Sequence, residues 1–141
     1  METAVLDKAI SREDYEMSGA WGMSASVDMR DCNVELITAP RAPNVLRRFA
    51  PVLCREIDMI PHGEAMVDFF GDGELKGHSM LQFIETSSIA VHCDDVGDKD
   101  GVSRVFVDVF SCKWFDADKM AMFCQRFFGA RETTVRSLLR R

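Results

Sequence analysis

Hydrophobic and polar positions alternate with two periods along this chain, and their order predicts helices laid on a sheet. Residues 23–30, MSASVDMR, alternate small or apolar with polar, the pattern of a half-buried strand. Asp31-Cys32-Asn33 reads as a turn. From Pro43 the period lengthens: Val45, Leu46, Phe49, Val52, Leu53 and Ile57 form one apolar stripe, with Arg47, Arg48 and Arg55 off it. Pro51 inside that stripe is expected to kink or split the helix. Pro61-His62-Gly63 reads as punctuation, residues 64–70 as a strand, and Gly71-Asp72-Gly73 as a turn.

The segment 79–93, SMLQFIETSSIAVHC, is too rich in Ser and Thr for a helix. It predicts two strands with a break near Thr86-Ser87. A polar loop follows over 94–103. Residues 104–110, RVFVDVF, are apolar on both faces and predict a central strand. Asp116 is placed to cap a helix that runs to Gly129, and 131–138 return as a last strand. The order predicts an α+β fold. It is a two-layer sandwich of a mainly antiparallel β-sheet with helices packed on one face, in a single domain over 1–141. Residues 1–20 are polar and without period, and are expected as a mobile arm or a short helix outside the core.

Composition narrows the class. The 141 residues carry 23 acidic and 17 basic side chains, which argues against a nucleic-acid partner. No apolar run is long enough to span a membrane. The first residues lack the apolar stretch of a secretory signal. Cys32, Cys54, Cys93, Cys112 and Cys124 are odd in number and have no C-x-x-C pair. Free thiols in a reducing cytoplasm are therefore expected, rather than disulfides or a zinc ribbon.

Taken singly, the reactive residues are ambiguous. His92-Cys93-Asp94-Asp95 holds three ligand types, but successive strand residues face opposite ways, so no metal site is expected. Cys112 with His92 is compatible with a nucleophile pair. Each is equally compatible with a structural histidine and a buried thiol. On these grounds alone the chain is a globular α+β domain.

Four positions in register go further. Gly77-His78-Ser79, a hydrophobic strand, Ser87 eight residues beyond Ser79, His92 five beyond that, and Phe110-Ser111-Cys112 follow one another in this order. This pattern resembles the core of the short, bacterial-type S-adenosylmethionine decarboxylases, over roughly the C-terminal half. The resemblance implies that Ser87 attacks the Thr86 carbonyl and that the chain cuts itself into 1–86 and 87–141. A pyruvoyl group derived from Ser87 would cap the second piece. It implies His92 as the base of that reaction, Ser79 as the residue that stabilises or relays protons in the ester step, and Cys112 as the acid that returns a proton to the substrate. The pyruvoyl carbonyl would take up the electrons left by departing carbon dioxide. It also implies a homodimer with sites shared between protomers. Because Ser87 and His92 differ in parity along a strand, convergence of the four residues calls for a bend or bulge between them.

The nucleoside-binding positions depart from the family. Thr86 stands where the family has Glu, Gly73 where it has an adenine-stacking aromatic, and Val96 where it has a ribose-binding Glu; the family's Trp-Pro-Glu run is absent. The reaction is kept while the substrate contacts change. This points to a small basic amino acid, L-ornithine or L-arginine, as branches of the family use. Candidate substrate contacts are Ile84, Glu85 and Thr86 before the cleavage point and Asp94 and Asp95 beyond the histidine. Glu85, Asp94 or Asp95 would pair with the distal cation. The alternatives are S-adenosylmethionine in a rebuilt pocket, and an unprocessed regulatory paralogue, which the β-branched Thr86 motivates.

Overall fold

The computed structural model describes residues 4–5, 9–94 and 100–141, with the backbone alone at 4, 5 and 74. In chain order the elements are β1 (Ala4–Val5), α1 (Arg12–Ser18), β2 (Gly22–Arg30), α2 (Val34–Ile37) and α3 (Ala42–Glu56). After these come β3 (Pro61–Phe70), a 3-10 turn (Gly73–Leu75), β4 (Gly77–Ile84), β5 (Ser87–Asp94), β6 (Arg104–Ser111), α4 (Ala117–Phe128) and β7 (Glu132–Arg140). One sheet holds the strands in the order β1-β7-β2-β6-β5-β4-β3. All pairings are antiparallel except β1 with β7. This is the α+β two-layer sandwich that the sequence pattern implies.

The core lies between the sheet and α3 with α4. Val105, Val107 and Val109 of β6, Ile89 and Val91 of β5, and Val27 of β2 are sealed beneath Phe49, Leu46, Leu53, Met120 and Phe128 of the helices. Phe49 packs against the rings of Phe123, Phe127 and Phe128 at 5.0–5.8 Å between centroids. Asp116 Oδ1 accepts from the Lys119 amide, and Gly129 closes α4 in the left-handed conformation.

Two local readings are corrected. α3 continues through Pro51 to Glu56 rather than splitting. Pro51 and Arg47 both lie on the exposed side, so the one carbonyl that proline leaves unpaired in the helix faces water. Pro61-His62-Gly63 does not end a segment but opens β3, which is an edge strand where proline is tolerated. The register of β3 slips between His62 and Met66. Buried Gln82 spans the slip, donating to the His62 and Gly63 carbonyls at 3.3 and 3.0 Å.

The opposite face of the sheet carries no helix among the described residues. Met66, Phe70, Leu81, Phe83, Leu138 and the neighbouring Trp21 are more than half exposed. The centre of that face is polar: Ser26 donates to Asp108 at 2.6 Å, and Asp28 pairs with Arg136 at 3.6 Å. Burial raises the Asp28 carboxyl pKa, an effect Arg136 opposes and Asp108 reinforces.

Candidate active site

The β4–β5 hairpin turns on two residues, Glu85 and Thr86, with Ile84 paired to Ser87. Ser87 therefore follows the turn directly. Its φ is +154°, in a region that L side chains rarely adopt. The Thr86 carbonyl accepts a hydrogen bond from the Cys112 amide at 3.0 Å. The Thr86 hydroxyl is held by Ser111 Oγ at 2.9 Å and lies 3.3 Å from Met59 Sδ. Ser111 is fully buried and sits opposite Ser87 on β6. A strained backbone thus lies beside a carbonyl already polarised by an N–H donor, with the exposed Cys112 thiol next in the chain.

Helix α1 braces this end. Its N-cap is Ser11, whose hydroxyl accepts from the Asp14 amide at 3.0 Å. Tyr15 donates to the Cys112 carbonyl at 3.2 Å, and Trp114 Nε1 donates to the Ile10 carbonyl at 2.7 Å. Arg12 lies over the Trp114 ring.

The second pair of sequence-predicted residues sits elsewhere. Ser79 and His92 are directly opposite on β4 and β5, and Ser79 Oγ lies 2.9 Å from His92 Nδ1. Both project on the helix-free face, as does Asp68, which is opposite Ser79 on β3. These residues line a cleft of about 350 Å³ with Met66, Val67, Phe70, Met80 and Leu81.

The four chemical residues therefore form two pairs, not one cluster. Pairing of β5 with both neighbours is unbroken from Ser87 to His92, so the bend or bulge between them is absent. Five residues of continuous strand put the Ser79–His92 pair about 17 Å from Ser87.

The candidate substrate contacts divide as well. Ile84 is buried on the helix side and belongs to the core. Glu85 is exposed in the turn, its amide bound to the Ile60 carbonyl. Thr86 is engaged with Ser111. Asp94 pairs with Arg104 at 3.8 Å, at the end of β5 remote from Ser87. Asp95 and Val96 lie outside the described residues. His92 is exposed and Cys93 buried, so they face opposite ways as the strand period requires. Sequence reasoning missed Asp68 and Phe70. Their signal was the alternation of Met66, Asp68 and Phe70 in β3, which places all three on one face.

The class of protein is a family of pyruvoyl-dependent decarboxylases, shown by the match of its sequence profile to most of the chain. The sequence profile of the S-adenosylmethionine decarboxylase family matches residues 23–141, and the chain belongs to that family. Among solved structures it is similar to the adenosylmethionine decarboxylase from Aquifex aeolicus VF5. The identity is 13% and the TM-score 0.59, over 86% of this chain and 91% of that one. At that identity the likeness speaks for the fold. No curated protein compared with the chain matches it. No helix among the described residues is long and apolar enough to cross a membrane.

Proposed function

We propose that this enzyme cuts itself between Thr86 and Ser87 and then decarboxylates a small basic amino acid, L-ornithine or L-arginine. The observation that carries the first half is the Thr86–Ser87 junction, strained at Ser87 and with its carbonyl bonded to the Cys112 amide. Ser87 Oγ adds to the Thr86 carbonyl carbon, and the Cys112 N–H stabilises the negative charge that develops on oxygen. Collapse breaks the C–N bond, leaving a free Ser87 amine and an ester between Thr86 and the serine oxygen. Removal of the Ser87 α-proton expels the Thr86 carboxylate. The dehydroalanine left behind adds water and loses ammonia, so that residue 87 ends as pyruvoyl. That group supplies the electron sink for decarboxylation. The Cys112 thiol, exposed beside it, gives the substrate carbon its proton.

His92 is the base for α-proton removal, held by Ser79. At about 17 Å it does not reach Ser87 of its own chain. A second copy, placed against the helix-free face of the sheet, brings the Ser79–His92 pair of one protomer to the Ser87–Cys112 end of the other. The proposed enzyme is therefore a homodimer with two composite sites.

The substrate assignment rests on the replaced nucleoside contacts: Gly73, Thr86 and Val96 offer neither the ring nor the carboxylates that would hold an adenosyl group. A second reading, S-adenosylmethionine itself, is favoured by Phe70, whose exposed ring lines the cleft beside Ser79 and His92. Carbon dioxide release from the cleaved protein separates them. Turnover of ornithine or arginine supports the first reading; turnover of S-adenosylmethionine alone supports the second.

A further inference from the structure

We propose that Asp68 binds the distal cation of the substrate, and so sets the enzyme's preference for a linear aliphatic amine or guanidine. The identity of that substrate rests on the decarboxylase reading above; the cation site itself rests on geometry. Asp68, Ser79 and His92 form one row across β3, β4 and β5, each opposite the next. Two strand spacings, roughly 10 Å, separate the outer members of the row, a span an aliphatic amine bridges. Among the described residues, Asp68 is the one carboxylate that lines the 350 Å³ cleft, and no lysine or arginine lines it. The rest of the lining is chiefly apolar, with the exposed side chains of Met66, Leu81 and Phe70 fitted to a hydrocarbon stem. Asp68 Oδ1 accepts from the Phe69 amide at 2.8 Å. That bond fixes the carboxylate while leaving its second oxygen for a ligand, and no basic side chain is paired with Asp68 among the described residues. Of the other described acids near His92 on this face, Asp94 pairs with Arg104 and Asp108 accepts from the Ser26 hydroxyl, and neither lines the cleft. A cleft with an apolar wall, one unneutralised carboxylate and a histidine along the same row selects a cation carried on an aliphatic chain.

The test uses full-length Ser87→Ala protein, which stays uncut and turns nothing over. The probes are 1,4-diaminobutane and agmatine, measured by titration calorimetry. Saturable binding is expected, weakened at least tenfold by adding Asp68→Asn and changed less than twofold by adding Asp72→Asn, an exposed acid outside the cleft. Thermal midpoints of the three proteins establish that each is folded. Equal binding by the Asp68→Asn protein, or no saturable binding by its parent, overturns the proposal. Carbon dioxide release by the self-cleaved wild type is scored separately. Amine binding through Asp68 without turnover of ornithine or arginine would retain the cation site and refute the substrate reading. Turnover with a KM unchanged by Asp68→Asn would retain the substrate reading and refute Asp68.

Discussion

The Cys112 amide donates to the Thr86 carbonyl at 3.0 Å, joining the end of β6 to the peptide bond that the proposed cleavage breaks. The neighbouring side chains, Ser111 and Thr86, are linked by a second bond at 2.9 Å. That second bond holds the turn in register without touching the reacting carbonyl. Ser111→Ala or Thr86→Val removes it, at a net cost of about 0.5–1.5 kcal/mol. Each substitution is expected to slow self-cleavage by a few-fold to about tenfold, read as the rate at which fresh full-length chain disappears on a denaturing gel. An unchanged rate in both variants would mean that the hydroxyl pair does not position the junction.

Composite sites have a distinctive genetic consequence. A His92→Ala chain keeps its own Ser87, and a Ser87→Ala chain keeps its own His92. Alone, neither completes the cleavage; the His92→Ala chain stops at the full-length stage, and hydroxylamine cuts any ester it has accumulated. Co-expressed, the two form a dimer with one intact site, and the His92→Ala chain becomes cleaved after residue 86. Cleavage of tagged His92→Ala chains only in the mixture is the expected result. No cleavage in the mixture would place both residues of a working site in one chain.

Thiol labelling separates the site cysteine from the core. Burial pushes Cys32 up to about 12, with Asp31 adding to the effect, and Cys54 up to about 11; Cys124 is shifted upward by burial as well. The thiolate is the reactive form, so a raised value keeps these groups protonated at pH 8 and unreactive until the pH approaches those values. Cys93 is buried, and Cys112 is exposed. Iodoacetamide at pH 8 is expected to modify one thiol per folded chain, Cys112, and to abolish decarboxylation by already cleaved enzyme. Peptide mapping checks the position. Labelling at Cys54 or Cys124 before Cys112 would contradict the packing described.

Phe49 anchors α3 against α4, touching three other rings while fully buried. Phe49→Ala is expected to cost about 3–5 kcal/mol in denaturant unfolding, because the helices cannot collapse fully into the space left. A loss under about 1 kcal/mol would show that the helix layer is looser than its contacts indicate.

Much of the architecture was legible in periodicity. The valines of β6 and the apolar stripe of α3 each declare their buried side, and Asp116 and Gly129 mark the ends of α4. Pro51 and Pro61 were misleading because their effect depends on whether the lost N–H faces water or a neighbouring strand, which local sequence does not state. The site was legible in its residue types but not in its distances. Ser79, Ser87, His92 and Cys112 lie in a spacing that suggests one cluster, yet an unbroken hairpin holds them in two groups. The link between Ser111 and Thr86 depends on the β5–β6 register, and Asp68 meets Ser79 only through β3–β4 pairing. Neither contact has a signature within its own segment.

The central claim is that Ser87 becomes the cofactor of this enzyme. Its most direct test is the intact mass of the purified, denatured protein, measured beside a Ser87→Ala control. The expected result is two chains divided between Thr86 and Ser87, the second carrying the mass of a pyruvoyl cap, with the control uncut. One full-length chain in both samples would contradict the account and leave the protein without an electron sink of its own.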